Sequence, residues 1–354
     1  MLQKPFYDPT KSFEENYSHG PWGDMADGKV YVDKGEPTFD FLGHKVYLPF
    51  GIAAGPLFNS KFIKAALEKG FDIVIQKTVR SRVRVANPYP NIVPLDVKGN
   101  LSVEEAKEGV RPAKDYNEPL TITNSFGNPS FLPDVWQPDL KKSFSYVKKG
   151  QALICAIEGG GDGSNNEEKF IADWVGTARL VRETGVDIIE ANTSCPNEGS
   201  NELLCFDTKR TQKVLAAIKN EIGNTPLIVK LAYFPNFEKL TEFVKAVGAI
   251  VDCISVINTI PTKVINEKGE LFLEGRPVAG ACGAAIKWAG LDMVGNLKKL
   301  KDELKMSYTI IGMGGVFTPA DFKEYKEKGA DVVMSATGAM WNPYLAQEIK
   351  KEVL

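Results

Sequence analysis

Val186-Asp187-Ile188-Ile189-Glu190-Ala191-Asn192-Thr193-Ser194-Cys195-Pro196-Asn197 is the stretch from which the chain is read. Its first half is an apolar, β-branched run of strand length. Its second half continues through Glu198-Gly199-Ser200-Asn201 with loop composition. A buried strand therefore delivers two carboxamides, Asn192 and Asn197, and the thiol of Cys195 into a loop stiffened by Pro196. Carboxamides donate and accept hydrogen bonds without charge. Two of them flanking a thiol suit a planar polar heterocycle presented to a weak acid or base. A lone cysteine is more often a small core hydrophobe, so the neighbouring segments have to decide between the two readings.

Outward from this strand the same unit recurs. Apolar strands are expected at Pro49–Ala54, Asp72–Thr78, Ala152–Glu158, Val186–Ala191, Leu227–Leu231, Cys253–Asn258, Thr309–Met313 and Asp331–Ser335. Helical segments alternate with them at Ser60–Lys69, Glu167–Glu183, Thr208–Ile222, Phe237–Val247, about Ile286–Leu304, Pro319–Lys328 and Tyr344–Val353. Phe170, Trp174, Ala178 and Val181 share one face of the second of these. Val79 to about Pro133 reads as a long excursion of mixed loop character. Eight strands alternating with helices predict an α/β fold, a closed (β/α)8 TIM barrel, over residues 38–354; a doubly wound open sheet is the alternative. Residues 1–37 read as an irregular N-terminal arm. The runs around Gly43-His44 read as a hairpin able to plug the barrel's lower end.

In such barrels chemistry sits where strands end. The ends here are Ala54-Gly55, Gln76-Lys77-Thr78, the Cys195 segment, Lys230-Leu231, Ile257-Asn258-Thr259, Gly312-Met313-Gly314-Gly315 and Ala336-Thr337-Gly338. A lysine after a strand is usually a solvated charge. Two inside apolar runs need an anionic or electron-rich partner, because an unpaired buried ammonium is costly. The glycine turns of strands seven and eight suit a phosphate. A phosphate there, lysines between and carboxamides beside a thiol fit flavin mononucleotide, FMN, with a polar substrate stacked on it. A lysine such as Lys230 would stabilise the charge that the flavin N1/O2 edge gains on reduction.

Composition narrows the classes. The 354 residues are 43% hydrophobic and 25% charged, ordinary globular values. A net charge of −2 gives no electrostatic case for nucleic acid or an acidic membrane. No apolar run reaches the roughly 18 residues of a membrane span. Met1 to Asp24 lacks an apolar signal core, so a cytoplasmic chain is expected. Five scattered cysteines, at 155, 195, 205, 253 and 282, argue for reduced thiols and against a metal centre. With only His19 and His44 present, the acid–base group is not expected to be histidine.

The motifs together resemble the dihydroorotate dehydrogenase family. Asn192-x-Ser194-Cys195-Pro196-Asn197 is similar to its active-site loop, in the soluble class 1 form with cysteine as base. Asn124-Ser125-Phe126-Gly127-Asn128-Pro129 is similar to its substrate loop. Lys77, Lys230, Asn258-Thr259 and Gly314-Gly315 follow in the family's order. The resemblance implies that Cys195 removes a proton from C5 of dihydroorotate while a hydride passes from C6 to FMN. It implies pyrimidine contacts from Lys77, Asn124, Phe126, Gly127, Asn128, Asn192, Asn197, Asn258 and Thr259. It implies flavin contacts from Ala54, Gly55, Lys77, Thr78, Asn124, Asn192, Lys230, Ile257, Gly283, Gly314, Gly315, Thr337 and Gly338. Activity is expected to rise between neutral and mildly alkaline pH, since unperturbed thiols titrate near 8.5.

The chain also departs from the pattern. Cys282 stands where glycine is expected, Trp288 where proline is common, and the Ile92–Leu120 excursion is long. A homodimer is expected from the resemblance and from the prevalence of twofold assemblies. Fumarate, a quinone and an NAD-linked partner subunit remain open as electron acceptor. So do two other functions: dihydropyrimidine dehydrogenase-like chemistry, and a non-redox phosphate-binding lyase with Lys77 or Lys230 as Schiff base.

Overall fold

The computed structural model of the protein describes residues 2–160, 166–195 and 203–353. Asn197, expected in the substrate site, lies outside the described residues. Eight parallel strands close into a barrel: Phe50–Ile52, Ile73–Val79, Ala152–Ile157, Ile189–Asn192, Leu227–Leu231, Cys253–Val256, Thr309–Met313 and Val332–Ser335. They follow chain order around the ring, and the eighth pairs with the first. The expected (β/α)8 barrel is the observed fold.

Side chains alternate across each strand. Ile73 and Ile75, Ala152 to Ala156 by twos, Ile188, Ile228, Cys253, Ile311, Val332 and Met334 fill the interior. The opposite parity, including Val74, Leu153, Ile189, Val229 and Ile254, packs under the helices. Those helices begin where short polar side chains cap them. Asn59, Asn166, Asp207, Asn236 and Thr318 each accept a backbone N–H of the first turn.

The hairpin of Phe39–Phe41 and His44–Val46 closes the lower end. Phe41 and Val46 are buried against the interior residues, so this expectation holds. The arm carries Phe6, Tyr7 and Phe13 into the core. It also contains a helix, Phe13–His19, that periodicity does not reveal; the Ser12–Glu15 capping box was the available signal. Asn16 braces the arm, donating to the Asp8 and Ser12 carbonyls at 2.9 Å and accepting from Trp22 Nε1 at 3.0 Å.

The excursion after the second strand is more ordered than its composition predicts. It contains the helix Val103–Glu108, opened by a Ser102–Glu105 capping box, and the strand Thr121–Asn124. That strand joins Ala279–Gly283 and Ile260–Thr262 in a small antiparallel sheet, Asn124 opposite Gly280. Its three strands are far apart in sequence, so no local pattern announces the pairing. Pro133–Phe144, also unexpected, is a helix with proline in its first turn.

The plug can be tested alone. Phe41→Ala should lower unfolding free energy by roughly 3–5 kcal/mol through lost burial and a residual cavity, read from denaturant unfolding.

Candidate active site

Continuing the inward parity by one step past the apolar layers places polar groups at the mouth. Ile73 and Ile75 lead to Lys77, Ala156 to Glu158, Ile188 to Glu190 and Asn192, and Ile228 to Lys230. Lys77, Glu158, Asn192 and Lys230 are all at most 8% exposed. The small sheet contributes Asn124, and the sixth strand runs out into Ile257-Asn258-Thr259.

Two adjoining chambers form there. The larger, a cleft of about 760 Å³ open to solvent, is mostly apolar, with Ile257, Thr259, Gly283, Gly314, Gly315, Thr337 and Gly338 in its wall. The smaller, about 410 Å³, is lined by Lys77, Thr78, Asn128, Asn192 and Cys195. Ala54, Gly55, Asn124, Phe126, Lys230 and Asn258 border both. The expected site residues are thus brought together, with two exceptions. Asn197 is not described, and Gly127 lines neither chamber: it makes the turn at φ +77° and accepts Arg84 Nε at 3.3 Å.

The carboxamides are tied to one another. Asn258 Nδ2 donates to Asn192 Oδ1 at 3.2 Å and to the carbonyl and hydroxyl of Ser194 at 3.1 Å. Asn192 Nδ2 donates to Glu158 Oε2 at 3.3 Å. Lys77 Nζ donates to Asn128 Oδ1 at 3.3 Å and lies 5.9 Å from the Phe126 ring centroid. Lys230 Nζ reaches the Ala54 carbonyl at 3.5 Å, and Thr193 Oγ1 donates to the Lys230 carbonyl at 2.9 Å.

Burial pulls the Lys77 ammonium down to about 8, while Cys195 and Glu158 favour its charged form. The same attraction favours a thiolate at Cys195. Cys195 is half-buried in the polar chamber. Burial raises the thiols of Cys155 and Cys253 and pushes Cys282 up to about 11, so these stay protonated near neutral pH. Cys282, the departure from glycine, lines the larger chamber.

Several contributors escape sequence reasoning. Tyr7 brings the N-terminal arm into the wall of the larger chamber. Arg276 pins the backbone of the Asn124–Pro129 loop, donating from Nη1 to the Ser125 carbonyl at 3.3 Å, and ties it to the Pro90 carbonyl at 2.8 Å. Arg80 and Glu158 form a buried ion pair at 2.9 Å. Glu158 ends the third strand, and a polar group closing an apolar run was the signal for it.

Fold and cavity define a (β/α)8-barrel enzyme with a thiol-bearing polar chamber at its C-terminal mouth. Residues 38–354 match the family model described as dihydroorotate dehydrogenase. The chain belongs to the dihydroorotate dehydrogenase family. It is 34% identical over 367 aligned positions to the dihydroorotate dehydrogenase of Dictyostelium discoideum, covering 98% of this chain and 97% of that one. It is 34% identical over 271 positions to the catalytic subunit of dihydroorotate dehydrogenase B (NAD(+)) from Desulforamulus reducens, covering 74% and 82%. In fold it is similar to the crystal structure of the Eimeria tenella enzyme in complex with ferulenol. There the TM-score is 0.68 at 20% identity, over 91% of this chain and 84% of that one. Among the described residues no helix is long and apolar enough to cross a membrane.

Gly283 joins the small sheet to the chamber wall at φ +109°, and a Cβ there would stand 2.2 Å from the Leu120 carbonyl oxygen. Gly283→Ala should therefore cost about 1–3 kcal/mol or more in stability. Gly176→Ala, in the helix Glu167–Arg182 with nothing within 4 Å, should stabilise by up to about 1 kcal/mol. Paired denaturant midpoints check both signs.

Proposed function

We propose that the protein oxidises (S)-dihydroorotate to orotate, a step of pyrimidine biosynthesis, with FMN in the larger chamber. The observation carrying this reading is the juxtaposition at one mouth of Cys195, Lys77 and four carboxamides with an apolar, glycine-walled cavity. The residues fit the cofactor. Gly55 borders both chambers at φ +143°, and a Cβ there would meet no protein atom within 4 Å, so its absence leaves open space for a flat ring. Ala54, Gly55, Thr78 and Ile257 would face the ring system. Gly283, Gly314, Gly315, Thr337 and Gly338 would hold the ribityl phosphate, and Lys230 the N1/O2 edge. Bound FMN supplies the acceptor for the hydride leaving C6.

The chain's own residues do the rest. Lys77 balances the substrate carboxylate. Asn124, Asn128, Asn192 and Asn258 hold the ring by its amide and imide groups, with Phe126 and Thr259 beside it; Asn197 completes the expected contacts, and Gly127 shapes the loop that carries Phe126 and Asn128. Cys195 takes the C5 proton. Loss of H⁺ to the thiolate and of hydride to the flavin leaves the C5–C6 double bond of orotate. A cytoplasmic homodimer completes the proposal, supported by its reduced cysteines and by the prevalence of twofold assemblies.

Anaerobic mixing with dihydroorotate should bleach the visible flavin absorbance. Cys195→Ala should slow bleaching by about 10²–10⁴-fold, the usual range for a general base. A yellow protein that stays yellow would overturn the substrate assignment. The pH dependence of kcat/KM should rise as the thiol ionises and fall above about pH 8, as Lys77 loses the charge that binds the substrate. Lys77→Arg should remove that fall.

A further inference from the structure

The third barrel strand runs out into Glu158, a carboxylate that no chemical step uses. It is 3% exposed. Its Oε1 pairs with Arg80 Nη2 at 2.9 Å; its Oε2 accepts from Asn192 Nδ2 at 3.3 Å and from Asn128 Nδ2. An ionised carboxylate only accepts. Both carboxamides must therefore turn their nitrogens toward it and their oxygens away. Asn128 Oδ1 then meets the Lys77 ammonium, a group that only donates. Asn192 Oδ1 meets Asn258 Nδ2, and Asn258 is left with an Oδ1 that has no partner among the described residues, at the border of the two chambers.

We propose that Glu158 is a positioning residue: it fixes the amide orientation of Asn128 and Asn192 and so sets Asn128 Oδ1 against the Lys77 ammonium in the polar chamber. The chamber then offers an acceptor to a ring N–H and a cation to an attached carboxylate, the pattern of an anionic dihydropyrimidine. This inference rests on the function proposed above. Arg80 and Glu158 cancel each other in charge. Among the described residues, charged groups from several elements act on Lys77. Cys195 and Glu158 favour its ammonium, and Arg80 and Lys230 oppose it. Removing the charge of Glu158 takes away the carboxylate that pairs with Arg80 and that favours the Lys77 ammonium, and frees both carboxamides to turn.

The test uses the flavin-loaded enzyme. Glu158→Gln should weaken orotate binding, followed by the perturbation of flavin absorbance, by about tenfold or more. It should raise KM for dihydroorotate by a larger factor than it lowers kcat. It should also move the alkaline fall of kcat/KM to lower pH. Arg80→Gln should move that fall the other way, to higher pH, and Glu158→Asp should return it toward the wild-type position. General loosening of the fold would not give shifts of opposite sign. If Glu158→Gln does not fold, the Arg80→Gln shift carries the test. Unchanged orotate affinity and an unmoved alkaline limb, in an enzyme whose wild type is bleached by dihydroorotate, would overturn the proposal. A wild type that dihydroorotate does not bleach would instead overturn the function on which it rests.

Discussion

Everything at the mouth of this barrel depends on strand parity in a closed parallel sheet. Once the interior positions are filled by Ile73, Ile75, Ala156, Ile188 and Ile228, the next inward positions have no choice of direction. They are Lys77, Glu158, Glu190 and Lys230, with Asn192 one step beyond Glu190. A one-residue slip in the second or fifth strand would send Lys77 or Lys230 into the helix layer and bring a neighbour such as Gln76 or Val229 to the mouth. The apolar plug formed by Phe41 and Val46 therefore does more than close a hole. It fills the end of the layered stack on which the polar groups stand.

The two lysines show how one residue type is given two tasks by its surroundings. Lys230 meets a backbone carbonyl at the border of both chambers, beside the wall assigned to the flavin. Lys77 lies in the polar chamber among Cys195, Glu158 and Arg80, where burial leaves its charge sensitive to pH. A carboxylate that leaves one amide oxygen facing an ammonium turns neutral carboxamides into an oriented array, which costs less than burying more ions.

Much of this was legible in the sequence because it is local. Apolar runs of strand length, amphipathic helices and capping residues repeat along the chain, and the helices Thr208–Ile222 and Phe237–Val247 match their expected bounds. The strand-end residues could be gathered before their geometry was known, because the barrel rule places strand ends together. What was not legible is long-range. The small sheet pairs Thr121–Asn124 with Ala279–Gly283 across four of the eight barrel strands, with no periodic pattern linking them. Arg80, Glu158 and Arg276 look like surface charges in a list of residues; only their burial and partners mark them as structural parts of the site. Tyr7 is invisible for the same reason, being carried into the wall by an arm whose path is fixed by Asn16 and the aromatic cluster.

The central claim is that the half-buried thiol of Cys195, among five cysteines, is the one beside the substrate. The most direct measurement is alkylation of the flavin-loaded enzyme with iodoacetamide, followed by peptide mass spectrometry with and without orotate. The account predicts modification at Cys195 first, loss of dihydroorotate-driven bleaching in step with it, and protection by orotate. Inactivation that tracks another cysteine, or alkylation of Cys195 that leaves bleaching intact, would contradict it.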